Sequence, residues 1–196
     1  MTTQQPRAHD RQHRILDAAL RIFSRRGYRD ASVDDIAEGS RTSKGGVYFH
    51  FPNKQSIFLA LLDRTTARLL DRIETAMAAE DNPIARADAA LLAVLRTFGT
   101  HRALARLFML EALGAGPEFH HRMSEVRGEF AGIIQSQLDD AAQQGIIQPL
   151  DTEIAGRAWF GALNEVITHW VFTGQPQRLH FRFGSFGQIK LVFLLL

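Results

Sequence analysis

The segment Thr42–Lys54, TSKGGVYFHFPNK, carries the residues best suited to chemistry, and that chemistry is recognition of phosphates and base edges. Read as a short helix capped by Ser43 and stopped by Pro52, it turns free backbone N–H groups and a positive dipole end toward an anion. Lys44, in the first turn, can reach a base edge or a phosphate. Gly45 and Gly46 each cost about 1 kcal/mol of helix propensity relative to alanine, and their missing side chains let a backbone approach a duplex closely. Tyr48 can offer its hydroxyl to phosphate and its ring edge to a thymine methyl. His50 and Lys54, near the helix end, suit phosphate contacts. Singly, Tyr48 fits a half-buried core aromatic equally well, His50 a helix cap and Lys54 an exposed lysine. Their combination points to nucleic acid.

The charge distribution supports this placement. Net charge is only +2, but residues 1–54 hold ten Lys/Arg against six Asp/Glu, and the remainder holds thirteen against fifteen. A basic head on a slightly acidic body fits a polyanion-binding face, or a merely solvated helix surface. The absence of cysteine excludes disulfides, thiolate zinc sites and cysteine catalysis. No apolar signal segment opens the sequence, and its longest apolar run, Leu191–Leu196, is far short of the roughly 20 residues that span a bilayer. These features predict a cytoplasmic protein without a membrane partner.

Apolar residues recur at three- and four-residue steps, so the expected class is all-α. A first helix is expected from Asp10 to Gly27 with Ile15, Ala19, Ile22 and Phe23 inward. Ser32 caps a second, with Asp35 placed for a capping box. The third runs from Ser43 to Phe51. Asn53 then caps a long fourth helix, reaching about Asp81–Pro83. Helices are also expected from Pro83 through Phe98, over Arg102–Leu113, over Glu118–Gln144 and over Thr152–Phe172. The tail from Gln177 is irregular, with Phe181, Phe183 and Phe186 alternating almost as in a strand. The domain boundary falls at residues 54/55, with 1–9 as an arm.

Residues 10–58 resemble the N-terminal domain of the TetR family of transcriptional regulators. The matching features are the Ile15–Phe23 stripe ending in Arg26-Gly27-Tyr28, the helix Ser32-Val33-Asp34-Asp35-Ile36-Ala37, and Ser43-Lys44-Gly45 followed by Val47-Tyr48-Phe49-His50-Phe51-Pro52-Asn53-Lys54. The rest resembles the family in helix count and rhythm. The resemblance implies a helix-turn-helix domain of three helices joined by a long helix to a ligand-binding and dimerisation domain. It implies DNA contacts from Ser32, Arg41, Thr42, Ser43, Lys44, Gly45, Gly46, Tyr48, His50 and Lys54. It also implies a homodimer reading a pseudo-palindromic operator, with half-sites about 34–36 Å apart. Phe160, Leu163, Ile167 and Trp170 would lie in the dimer interface. A small effector would swing the fourth helix and release the DNA, as a repressor requires. Two features depart from the pattern: Arg41 stands where the family usually has glycine in the turn, and the tail makes a poor final helix.

The larger domain is rich in Phe, Met, Trp and Leu, which suits an apolar pocket with few polar anchors. Phe98, Arg102, Phe108, Met109, Leu113, Met123, Phe130, Trp159 and Phe160 are its candidate lining, although apolar residues at helical spacing are equally a core. A fatty acid or acyl thioester is the candidate effector, and no cofactor or metal is expected. An enzyme is the contrasting reading: adjacent His120 and His121 point about 100° apart on a helix and do not converge on one metal. No nucleophile-elbow, phosphate-loop or dinucleotide fingerprint occurs. A helical ligand-binding protein without DNA contacts is the other alternative. The basic head predicts that DNA affinity falls steeply with added salt. Titrations at several salt concentrations test this, and a flat response would contradict the head's assignment.

Overall fold

The structure, a computed structural model, describes residues 4–109 and 116–175. All regular elements among these are helices: α1 (Gln4–Asp30), α2 (Val33–Gly39), α3 (Lys44–His50), α4 (Lys54–Met77), α5 (Pro83–Thr100), α6 (Arg102–Met109), α7 (Pro117–Gln143) and α8 (Thr152–Thr173). The all-α expectation therefore holds. None of the described helices is long and apolar enough to cross a membrane. The tail aromatics Phe181, Phe183 and Phe186 lie outside the described residues.

Local signals explain most boundaries. Ser32 accepts from the Asp35 amide at 3.1 Å while Asp35 accepts from the Ser32 amide at 3.0 Å, a complete capping box for α2. The Ser32 hydroxyl bond, then its backbone bond, hold the Asp35 carboxyl below its ordinary range. Ser43 caps α3 through the Gly46 amide, Asn82 caps α5 and Asp151 caps α8. Asn53 and Ser56 cap the start of α4 reciprocally. The first helix differs from expectation. It begins at Gln4, leaving Asp10 inside it, because Pro6 is tolerated in a first turn. Gly27 supplies the expected break at φ 79°, ψ 169°.

The chain divides into two compact units. One takes the residues through Ala67 with Arg106–Met123, and the other takes Arg68–Ala105 with the residues from Ser124 on. In the first, α1 packs on α2 and α2 on α3. Ile15, Ala19, Phe23, Ile36 and Val47 are essentially withdrawn from water. Phe58 gathers this unit's rings: Phe23 edge-on at 5.2 Å, Tyr28 at 4.7 Å, Phe119 stacked at 4.9 Å and Phe108 stacked at 6.1 Å. Arg64 pairs with Asp17 at 2.8 Å and Arg122 with Asp63 at 2.6 Å.

In the second unit α5, α7 and α8 are tied by polar bonds around an apolar interior. Arg86 donates to buried Gln137 at 2.7 Å and to Asp140 at 3.0 Å, joining α5 to α7. Gly156 lets α8 approach α7, since a Cβ there would lie 2.9 Å from the Ala131 carbonyl oxygen.

The turn between α2 and α3 resolves the Arg41 departure. The Arg41 amide donates to the Glu38 carbonyl and the Thr42 amide to the Ala37 carbonyl, both at 3.0 Å. This is a Schellman closure with Arg41 at the left-handed position, φ 53°, the only non-glycine residue with positive φ among those described. An L-residue there costs about 1–2 kcal/mol. Arg41→Gly should therefore raise the head's resistance to denaturant by about 1 kcal/mol. An equal or lower midpoint in urea unfolding would show that the turn is not strained.

Candidate nucleic-acid interface and ligand cavity

The third helix is fastened on one side and bare on the other. Val47 is fully buried and Phe51 nearly so, while Lys44, Gly45, Tyr48 and Phe49 are exposed. At about 100° per residue these four span an arc of about 140° on one face of α3. Tyr48 is 43% and Phe49 82% exposed. A phenyl ring so open to water has no packing reason to be there, and Phe49 was absent from the expected contact residues. The signal was available in the helical register, which sets Phe49 beside Gly45 and away from Val47.

The two glycines play different parts. A Cβ on Gly45 would meet nothing within 4 Å, so this position is open to an approaching surface. A Cβ on Gly46 would fall 2.8 Å from Thr42 Cγ2 and 3.1 Å from Ser43 Oγ. At Gly46 a side chain would crowd the helix's own cap, so Thr42 and Ser43 would have to shift to admit it.

Lys44 reaches Asp34 of α2 at 2.9 Å, with both side chains more than half exposed. The hydrogen bond to Asp34, reinforced by its charge, raises the Lys44 pKa. An exposed pair of this kind is worth little, so the ammonium can exchange Asp34 for a phosphate. Arg41 and Ser43 are exposed beside it, and Thr42 is half-buried. Ser32 is occupied by the capping box.

Two expected contacts face inward. Lys54 donates to the carbonyls of Tyr28, Arg29 and Ala31 at 2.8, 3.0 and 2.9 Å, and lies 4.6 Å from the centre of the Tyr28 ring. Its three protons are spent closing the end of α1, which corrects the expected phosphate contact. Partial burial lowers its pKa against the opposing pull of Asp30, and burial raises that of Tyr28. His50 Nε2 is buried without a hydrogen-bond partner, its ring beside those of Phe49 and Phe51.

The expected ligand residues scatter. The second unit contains a cavity of about 80 Å³ lined by Ile84, Ala87, Leu91, Ile134, Leu138, Ile147, Leu150, Ala155 and Trp159, with Asp88 the one charged side chain. Of the expected lining, Trp159 is there. Phe98 is core, and Phe130 stacks on Phe160 at 6.4 Å. Arg102 donates to the Val171 carbonyl at 2.7 Å and lies 5.6 Å from the Trp170 ring, so it closes the end of α8. Phe108, Met109 and Met123 belong to the first unit, and Leu113 lies outside the described residues. Leu163, Ile167 and Trp170, expected at a dimer interface, are at most 6% exposed within one protomer. Their apolar surface is already consumed by the core. The exposed apolar residues of α8 are Ile154 at 66% and Phe172 at 68%.

Comparison with known proteins gives consistent matches. A family model described as bacterial regulatory proteins, tetR family, matches residues 15–61, and one described as YsiA-like protein, C-terminal region, matches residues 62–182. The fatty acid metabolism regulator protein of Bacillus subtilis is 27% identical over 170 residues, 84% of this chain and 86% of its own length. The HTH-type transcriptional regulator EthR of Mycolicibacterium smegmatis is 30% identical over 153 residues, 74% of this chain and 69% of its own. The structure of the fatty acid degradation regulator FadR from Bacillus halodurans superposes with a TM-score of 0.78 at 26% identity, covering 85% of this chain and 90% of that one.

The glycine pair yields a separable prediction. Gly46→Ala should destabilise the head by about 1–3 kcal/mol through overpacking. Gly45→Ala should hold or raise stability, by up to about 1 kcal/mol, while weakening DNA binding. Thermal melts and DNA titrations of both variants check this; matching effects from the two would refute the division of roles.

Proposed function

The chain belongs to the TetR family of bacterial transcriptional regulators, and from that membership we propose how it works. It is a sequence-specific DNA-binding regulator acting as a homodimeric repressor in the cytoplasm. The carrying observation is the exposed face of a capped α3, where Lys44, Gly45, Tyr48 and Phe49 stand clear of the core. Residues 1–54 form the reading head, and α3 enters the major groove. Lys44 and Tyr48 contact bases or phosphates, the Phe49 ring packs on an apolar base edge such as a thymine methyl, and Gly45 admits the duplex. Arg41, Thr42 and Ser43 flank this face and position the phosphates, while Ser32 holds the start of α2. Gly46 fits the cap of α3, and Lys54 closes the end of α1.

The effector is proposed to be a fatty acid or its acyl thioester. Its hydrocarbon end would fit the cavity beside Trp159, whose apolar lining suits a ligand of that class. The fatty-acid regulators among the relatives support the same class. Residues 55–196 would sense it and dimerise, with exposed Ile154 and Phe172 joining Phe160 at the interface. To release DNA, the effector must bind the DNA-incompetent state more tightly.

The test begins by selecting genomic fragments that the full chain retains. Lys44→Ala and Tyr48→Ala should each weaken binding to the selected fragment by about tenfold or more. The dimer should remain intact by sedimentation. Unchanged affinity in both variants would remove the exposed face from the contact surface. A chain-length series of fatty acids and acyl thioesters, added to the complex, should release the fragment. If none does, the effector class is wrong while the DNA-binding reading stands.

A further inference from the structure

We propose that His9 and His13 form a two-imidazole clip for a late first-row divalent cation on α1. Residues four apart on a helix lie one above the other. Here the two Nε2 atoms stand 3.2 Å apart, with the ring centres separated by 4.3 Å at 63°. The approach is a hydrogen bond when one Nε2 carries its proton. With both protons on Nδ1, both Nε2 atoms present a lone pair at this separation. Zn–N bonds are about 2.0–2.1 Å long, so nitrogens at this separation subtend about 103° at a shared cation. That angle lies between octahedral and tetrahedral values, so the nitrogen separation suits a chelate once the rings turn to aim both lone pairs at the cation.

The surroundings define the coordination. His9 is exposed and His13 half-buried, leaving the open side of the pair to solvent. Asp17 lies four residues beyond His13, but Arg64 holds its carboxylate at 2.8 Å. Among the described residues no group of three or more His, Cys, Asp or Glu side chains is placed to hold a metal. The clip therefore supplies two nitrogens and water supplies the rest. Imidazole donors select copper, nickel or zinc over magnesium or calcium. A bound cation would staple one turn of α1 near its N-terminal end, stabilising the helical state in which the two rings meet. The inference rests on α1 alone and is independent of the DNA reading.

The test titrates Ni²⁺, and separately Zn²⁺, into the full-length chain by calorimetry. His9→Ala, His13→Ala and, as control, His169→Ala are compared, with circular dichroism confirming unchanged helix content. The expected result is one saturable site per chain, weakened about tenfold or more by either clip variant because the chelate is lost. Binding in His169→Ala should match the parent. Ni²⁺ should raise the melting temperature of the parent, reversibly with a chelator, and leave that of the clip variants unmoved. Parent-like binding in His9→Ala or His13→Ala, or no saturable site in the parent, would overturn the proposal.

Discussion

The head depends above all on the burial of Phe58. Its ring is fully withdrawn from water and meets rings from the end of α1, from α6 and from the first turn of α7. Aromatic pairs of this geometry add about 0.5–1.5 kcal/mol each beyond their burial. Four such contacts on one side chain fix where α4 begins relative to α1. Lys54 lies one helical turn before Phe58 and is fixed by the same arrangement. Its ammonium satisfies the Tyr28 and Arg29 carbonyls at the end of α1 and the Ala31 carbonyl just after it.

The exposed face of α3 follows from these inward commitments. Once Val47 and Phe51 are buried, the register of α3 turns Lys44, Gly45, Tyr48 and Phe49 outward together. The caps at Ser32 and Ser43 and the Schellman turn between them make the two helices a rigid pair. The cost is local strain at Arg41, where the chain keeps a long cationic side chain in a conformation that glycine would adopt freely. Backbone strain of this kind persists where surrounding bonds over-determine it. Three amide–carbonyl bonds do so here, from Ser40, Arg41 and Thr42.

The second unit uses its aromatic and cationic residues differently from what their composition promised. Arg102 is drawn from a candidate ligand rim into the end of α8 because the last carbonyls of a helix need donors. Trp170 and Ile167 fill the protomer's interior, leaving Ile154 and Phe172 as the apolar residues that α8 shows to solvent. The cavity beside Trp159 is bordered by aliphatic residues, Ile84, Leu91, Ile134 and Leu138, that none of the aromatic-based expectations singled out.

The sequence by itself determined the helical class, the caps at Ser32 and Ser43 and the helix-turn-helix. Those features depend on residues within one or two turns of each other: Ser32 with Asp35, Ser43 with Gly46, Pro52 after Phe51. Periodicity and capping chemistry are local, so they can be read along the chain. The same holds for Phe49, whose exposure the register already implied. Tertiary structure alone decided the fates of Lys54, Arg102, Leu163 and Trp170. Each could have faced solvent, ligand or partner with equal local sense. Their partners lie 23–26 residues away for Lys54 and 69 for Arg102. Only folding brings a distant carbonyl or ring into reach, and a buried donor or acceptor left without a partner costs about 1–3 kcal/mol. That requirement, set by distant chain rather than by neighbours, turned Lys54 and Arg102 toward those carbonyls, while burial of apolar surface drew Leu163 and Trp170 inside.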